Sequence, residues 1–273
     1  MDNRPIGVFD SGLGGLTAVR ALDALLPYED IVYFGDTARV PYGTRSREII
    51  LKYLRQDVAF LGSFGVKLLV VACGTASTAG LSALDGAYEF PLLGVVEPAV
   101  RAAAEASRNR KVGLIATPAA VASGAYEAAL KARAPDIQVT AAACPLLVPL
   151  VENGRARRGD VVAETVCREY LRPLQDAGVD TLILGCTHYP LLSGVFRDIM
   201  GAHVLLIDAG EAVARAAAAH LRESAALSAD TARGVRRYFV SDSPPGFAAT
   251  AALLLGRPLD GPVEKADVES EKR

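Results

Sequence analysis

The chain has 273 residues, 51% of them apolar, with 29 basic against 31 acidic side chains and a formal net charge of -2 at pH 7. That composition can fill one large or two moderate cores, and the near-balance of charge excludes a general field for nucleic acid or anionic lipid. Gly62, Gly65 and Lys67 interrupt the longest apolar stretch and nothing at the start resembles a signal peptide, so no membrane span and a cytoplasmic setting are expected.

The amino terminus reads as a strand, Ile6 to Phe9, running into Asp10-Ser11-Gly12-Leu13-Gly14-Gly15 and an amphipathic helix with Leu16, Val19, Leu22 and Leu26 at helical spacing. Strand, glycine turn and helix aim backbone N–H groups at an anion. Thr17 stands where a dinucleotide-binding loop has its third glycine, and no Walker lysine follows, so no nucleotide site is expected. Asp10 and Ser11 lie where a strand's carboxyl end faces a crevice. A second strand, Ile31 to Phe34, leads through Gly35-Asp36-Thr37 to a loop punctuated by Pro41, Tyr42 and Gly43. The helix from about Ser46 to Phe64 carries a buried stripe of Ile49, Ile50, Tyr53, Leu54, Val58 and Leu61, its charged residues forming a solvated face.

Leu69 to Ala72 is an apolar run ending at Cys73, with Gly74, Thr75 and Ser77 behind it and a helix beginning near Thr75, whose amino terminus is expected to favour the thiolate. Leu92 to Val96 is a further strand, and Val112 to Ala116 runs into Thr117-Pro118 much as the first strand runs into Asp10. Strand Ile137 to Thr140, an apolar turn from Pro145 to Val151, and Glu152-Asn153-Gly154 follow, and a long helix from about Asp160 to Ala177 leads to Leu182-Ile183-Leu184-Gly185-Cys186-Thr187-His188-Tyr189-Pro190. Glu152 ranks below Asp10 because an acid beside Asn-Gly is commonly a surface turn. His188 stands two positions from Cys186, near enough to tune the thiol.

The second half thus partly repeats the first, with an oxygen ligand ending one strand and a cysteine ending a later one. This predicts an α/β fold of two pseudo-symmetric domains with mainly parallel sheets and a cleft between them. The boundaries read from the chain are residues 1–97 plus 208–255, the side of Asp10 and Cys73, and 98–207, the side of Cys186. Residues 256–273, rich in Pro, Gly and charge, are expected to be a disordered tail. Among the four cysteines there is no Cys-x-x-Cys pair and no zinc spacing, so thiols are expected rather than disulfides or a metal site. Cysteine is most often a small buried apolar group, and Cys144 and Cys167 are assigned that role. Cys73 and Cys186 stand apart because both end strands beside hydroxyl residues.

In order and spacing, GVFDSGLGGL, DTARVPYG, VVACGTAS and LGCTHYPLL resemble the glutamate racemase family, from about Ile6 to Leu255. The resemblance implies interconversion of L- and D-glutamate without cofactor or metal, supplying D-glutamate for bacterial peptidoglycan. Related aspartate racemases typically carry an acidic residue where His188 stands, so His188 points to glutamate. By resemblance, Cys73 takes the proton from D-glutamate with help from Asp10, and Cys186 takes it from L-glutamate with help from His188. Glu152 and Asp36 are further helpers. Substrate binding maps to Asp10, Ser11, Pro41, Tyr42, Gly43, Gly74, Thr75, Thr117, Thr187 and His188. Gly74 departs from the family, which usually has asparagine there, so that side-chain contact is absent: either water or another residue replaces it or affinity is weaker, with the Gly74 backbone N–H still available.

The resemblance also implies a homodimer. Members activated by a peptidoglycan precursor have a longer amino-terminal extension than the few residues before Ile6, so no such activation is expected. Two other readings compete. Some members bind DNA gyrase, which would make this chain an inhibitor, and a thiol redox protein would want a resolving cysteine close in sequence.

Overall fold

Short apolar runs buried on both faces, separated by amphipathic helices, pair as parallel strands because each helix returns the chain to the same edge. The computed structural model describes residues 1–255 and 257–269. In chain order, β1 (Ile6–Asp10) leads to α1 (Leu16–Leu25), β2 (Ile31–Gly35), a 3-10 turn at Tyr42–Thr44, α2 (Arg47–Gly62), β3 (Leu68–Val71), α3 (Gly74–Gly80) and β4 (Leu92–Gly94). Then come α4 (Val96–Ala106), β5 (Lys111–Ala116), α5 (Pro118–Ala122), α6 (Ala125–Arg133), β6 (Gln138–Ala143), α7 (Leu147–Glu152) and α8 (Val161–Ala177). The chain continues through β7 (Thr181–Leu184), α9 (Ser193–Met200), β8 (Leu205–Asp208), α10 (Ala209–Glu223), β9 (Arg236–Val240), α11 (Pro244–Leu255) and β10 (Val263–Lys265).

Two sheets result, one ordered β10-β9-β2-β1-β3-β4 and the other β6-β5-β7-β8. Every strand pairing described is parallel. The run β2-β1-β3-β4 has the same order as β6-β5-β7-β8, which is the internal repeat in structural form. In each, the chain leaves one strand for a neighbour on one side and then continues on the other. Such a reversal opens a crevice at the carboxyl ends of β1 and β3, and again at those of β5 and β7. The chain crosses between the sheets twice, from β4 through α4 to β5 and from β8 through α10 to β9.

The core follows from these crossings. One apolar cluster joins β1 and β3 to β5 and β7 through α1, α4 and α10, whose alanines allow close approach. A second cluster lies between the second sheet and α7, α8 and α9, and a third between the first sheet and α2. On α2, Ile50, Leu54, Val58 and Leu61 are buried as read from the sequence, each contributing about 1.5–3 kcal/mol. Ile49 is not part of that stripe. It stands 39% exposed in the first helical turn, and Asp57 occupies the buried face in its place. The segment expected as an apolar turn after Pro145 is helical, as α7.

The expected disorder of the tail does not hold for residues 257–269, while Gly256 and residues 270–273 lie outside the described residues. Val263, Glu264 and Lys265 pair in parallel with Tyr238, Phe239 and Val240, and Ala266 and Val268 are buried. Asp260 accepts from the Tyr238 hydroxyl at 2.6 Å, holding the approach to β10. A few small apolar residues among many charges suffice once an open sheet edge offers backbone partners. Ending the chain at Gly256 should therefore lower the unfolding temperature by roughly 5–10 °C, whereas loss of a disordered tail would leave it unchanged; calorimetry reads the difference.

Candidate active site

A cavity of about 330 Å³ lies between the two sheets at the crevices their strand orders define. The first half contributes Ser11, Pro41, Tyr42, Gly43, Cys73, Gly74 and Thr75 to its wall, and the second half Thr117, Glu152, Cys186, Thr187 and His188. Asp10 is fully buried just beneath, at the end of β1. Nearly every residue singled out in the sequence thus converges on one cleft. Both thiols are free, with Cys73 5% and Cys186 8% exposed.

Cys73 follows β3 and caps α3, its sulfur accepting from the Ala76 N–H at 3.4 Å and donating to the Ser11 hydroxyl at 3.4 Å. The helix end was expected to favour a thiolate here. Burial outweighs it, with the nearby Asp10 charge adding in the same direction, and the thiol is pushed up to about 12. Asp10 itself accepts from the N–H of Gly12 at 2.9 Å and of Gly15, and from the Thr187 hydroxyl at 3.4 Å. Burial raises its pKa against those hydrogen bonds and the His188 charge. Asp10 therefore acts on Cys73 through its field, while Ser11 makes the hydrogen bond.

On the other side, His188 places Nδ1 3.9 Å from the Cys186 sulfur and Nε2 3.0 Å from Glu152 Oε1. Burial works against a charged imidazole, but the hydrogen bonds to Cys186 and Glu152 and the charges of Cys186 and Asp10 prevail. His188 is pushed up to about 10 and is a cation at neutral pH. A cation beside a sulfur stabilises negative charge on it. Glu152, exposed at the last residue of α7 just before the Asn153-Gly154 turn, is the carboxylate hydrogen-bonded to this imidazole. Among the described residues no lysine or arginine lines the cavity, and His188 is the basic side chain in its wall.

The two halves touch across the floor. Thr75 and Thr117 share a hydrogen bond of 2.8 Å between hydroxyls, and the Thr17 hydroxyl donates to the Thr187 carbonyl at 3.3 Å. Gly43 packs so closely on Thr117 that a Cβ would stand 2.9 Å from the threonine's own.

Tyr42 has its ring in the core and its hydroxyl turned away from the cleft, donating to Asp36 and, at 3.0 Å, to Asp57. Arg39 joins both acids, with Nε 2.6 Å from Asp36 and an Nη 2.5 Å from Asp57. Ser241 donates to Asp36 at 2.8 Å. Asp36 is thereby fixed in this buried cluster rather than beside a thiol, and the cluster anchors the 40–44 loop. Burial first, then the Asp36 charge, raises Asp57 well above the usual carboxylate range despite Arg39.

Sequence reasoning missed Asp57, whose position between Leu54 and Leu61 on a buried helical face was the available signal. It also missed Cys144, which lines the cavity with Pro145 and Val148. β6 runs to Ala143, three residues beyond the expected Thr140, so Cys144 too follows a strand's carboxyl end.

Two strand-end thiols line one cleft, and an imidazole is paired with one of them. A sequence profile of the Asp/Glu/hydantoin racemase family matches residues 17–217, and the chain belongs to that family of isomerases. Within it the similarity is to glutamate racemases. That of Geobacter metallireducens is 46% identical over 98% of each chain. Glutamate racemase isoform RacE1 from Bacillus anthracis superposes with a TM-score of 0.92 at 37% identity, covering 98% of each chain. The enzyme from Francisella tularensis, solved in complex with D-glutamate, superposes at 0.90 with 36% identity, covering 99% of this chain and 100% of that one.

Two tests follow from the geometry. Asp57→Asn keeps a neutral hydrogen-bonding group and should change stability by less than about 1 kcal/mol, whereas Asp57→Leu leaves one Arg39 Nη and the 3.0 Å Tyr42 contact without their buried partner, Asp36 still holding Arg39 Nε, and should cost about 1–3 kcal/mol and raise KM, as read by urea unfolding and kinetics. For His188, whose ordinary pKa of 6.5 rises to about 10 on folding, the folded state binds the proton more tightly. Its stabilising contribution is complete below pH 6.5 and is lost as pH rises through about 10. Melting temperatures should therefore fall across that window more steeply for the wild type than for His188→Asn.

Proposed function

We propose that the chain interconverts L- and D-glutamate by two-base proton transfer at Cα, with Cys186 and Cys73 on opposite faces of the substrate. The observation that carries this is the asymmetry of the two thiols in one cleft. Cys73 holds its proton up to about pH 12, and Cys186 stands beside a charged imidazole. The two sulfurs thus stand in unlike surroundings, one held protonated by burial and the other beside an imidazole, and inversion requires unlike partners on the two faces.

From L-glutamate, the Cys186 thiolate takes the Cα proton and the C–H electron pair passes toward the α-carboxylate. The Cys73 S–H then delivers its proton to the other face, leaving Cys73 as thiolate and Cys186 as thiol. The reverse reaction starts from that state, and the substrate ammonium lying between the sulfurs offsets the cost of a buried Cys73 thiolate. Asp10 keeps Cys73 protonated before the step, and Glu152 holds His188 in place. Glutamate fits the polar wall: His188 supplies the charge for a carboxylate, and the hydroxyls and backbone N–H groups of Ser11, Gly43, Gly74, Thr75, Thr117 and Thr187 supply donors. The D-glutamate complex of the Francisella tularensis enzyme supports the same substrate class.

The proposal extends to a cytoplasmic homodimer making D-glutamate for peptidoglycan, with sedimentation at the mass of two chains as the check on assembly. Among the described residues no helix is long and apolar enough to cross a membrane.

Incubation with L-glutamate in deuterated water should abolish optical rotation while deuterium enters Cα of the product, with L-aspartate unchanged in parallel. Unchanged rotation and no deuterium uptake would sink the reading. Cys73→Ala and Cys186→Ala should each lower racemisation by at least about 100-fold.

A further inference from the structure

Residues 41–44 form one side of the cavity, and their anchor is Tyr42, whose ring lies in the core and whose hydroxyl reaches back to two acids. Asp36 and Asp57 are fully buried and Tyr42 is 2% exposed, so the three meet one another in a site shielded from bulk water. The phenol oxygen stands within hydrogen-bond reach of one oxygen of each acid, at 3.0 Å for Asp57. A phenol has one proton, and an ionised carboxylate has none to give. With both acids ionised, one of the two oxygen-to-oxygen contacts would lack a proton of its own. A second proton therefore belongs to this group of three oxygens, as it does where two buried carboxyls share one place.

The donors decide where that proton sits. Asp36 faces Arg39 Nε at 2.6 Å, the Ser241 hydroxyl at 2.8 Å and the Tyr42 hydroxyl, three donors that favour its ionised form. Asp57 receives Arg39 Nη2 at 2.5 Å on Oδ1, while its Oδ2 meets the Tyr42 oxygen. The groups around the pair are Arg39 and Tyr42 from the loop, Tyr53 and Gln56 from α2, and Ser241 after β9. β1 presents the Phe9 ring beside Tyr42, and α3, packed on α2, has no ionisable side chain. Among these described residues Arg39 is the one cation, its other Nη on Gln56 at 2.6 Å and its guanidinium 4.2 Å from the centre of the Tyr53 ring. One cation balances one carboxylate. Burial and the Asp36 charge, which hold Asp57 well above the ordinary carboxylate range, act in the same direction.

We propose that Asp57 is a positioning residue for the substrate: as a neutral carboxylic acid it donates to the Tyr42 hydroxyl, which donates to the Asp36 carboxylate, and this chain of protons seats the backbone of Gly43 and Thr44 in the cavity wall. Gly43 in turn packs on Thr117 of the opposite half. The effect reaches glutamate through the wall and not through the sulfurs, so binding responds and proton transfer does not. This rests on the racemase reading above.

Infrared difference spectra between the wild type and Asp57→Asn at neutral pH should show the C=O stretch of a protonated carboxyl in the wild type. Tyr42→Phe, which removes the acceptor of that proton, should displace the band. Asp57→Asn keeps a donor toward Tyr42 and should leave KM for L-glutamate within about two-fold, while Asp57→Leu should raise KM about ten-fold with kcat within about two-fold, the split expected of lost binding. A difference spectrum showing an ionised carboxylate at Asp57 overturns the proposal, as does a band that Tyr42→Phe leaves in place, and these spectra decide the matter even where Asp57→Leu does not fold. A folded Asp57→Leu protein with unchanged KM, or one whose kcat falls as far as KM rises, also overturns it, as does an Asp57→Asn protein whose KM rises with that of Asp57→Leu. Because the spectra need no turnover, a wild-type protein inactive on glutamate would sink the proposed function and leave the carboxyl band in place, so the two failures are distinguishable.

Discussion

Inversion at one carbon needs proton-handling groups on both of its faces, and a parallel sheet presents its strand ends along one edge only. Two sheets turned edge to edge meet that constraint, and the rest of the molecule follows from it. The shared order β2-β1-β3-β4 and β6-β5-β7-β8 puts one cysteine at each opening, Cys73 after β3 and Cys186 after β7. The oxygen ligands Asp10 and Thr117 end the neighbouring strands. Even the core obeys it, because the helices that carry the chain between sheets are the ones that fill the space behind the cleft.

Topological symmetry is then broken by electrostatics. Cys73 meets a hydroxyl and lies within the field of a buried acid, whereas Cys186 meets an imidazole whose far nitrogen is tied to Glu152. Neither sulfur could do its part from its location alone, since equal surroundings would leave both protonated or compete for one charge. The difference between the two halves matters as much as their likeness.

Much of this was legible in the chain. Apolar runs stopping at Asp10, Cys73, Thr117 and Cys186 are buried strands with chemistry at their ends, and period-two or period-3.6 patterns suffice to read them. What escaped depends on partners distant in sequence or on residues without strong preference. Asp57 reads as a surface charge until Arg39 and Tyr42 are seen to close on it. The alanines of Ala141 to Ala143 do not announce a strand, so Cys144 was left short of its end. The Cys73 thiol was misjudged because a helix terminus is visible in sequence and the depth of burial is not. The charged tail hid three residues that an open edge was ready to receive.

The double crossing between the sheets has a mechanical meaning. A body joined to another at one point can tilt, twist and slide, but one joined at two separate points keeps a single easy freedom, rotation about the line through them. The segments leaving β4 and β8 are those two points, and both run into helices that pack on each other. The halves are thus tied at two places rather than one, which braces them against shear. The double connection keeps the carboxyl ends of β3 and β7 facing one cleft, so the two thiols that follow them share one register across it.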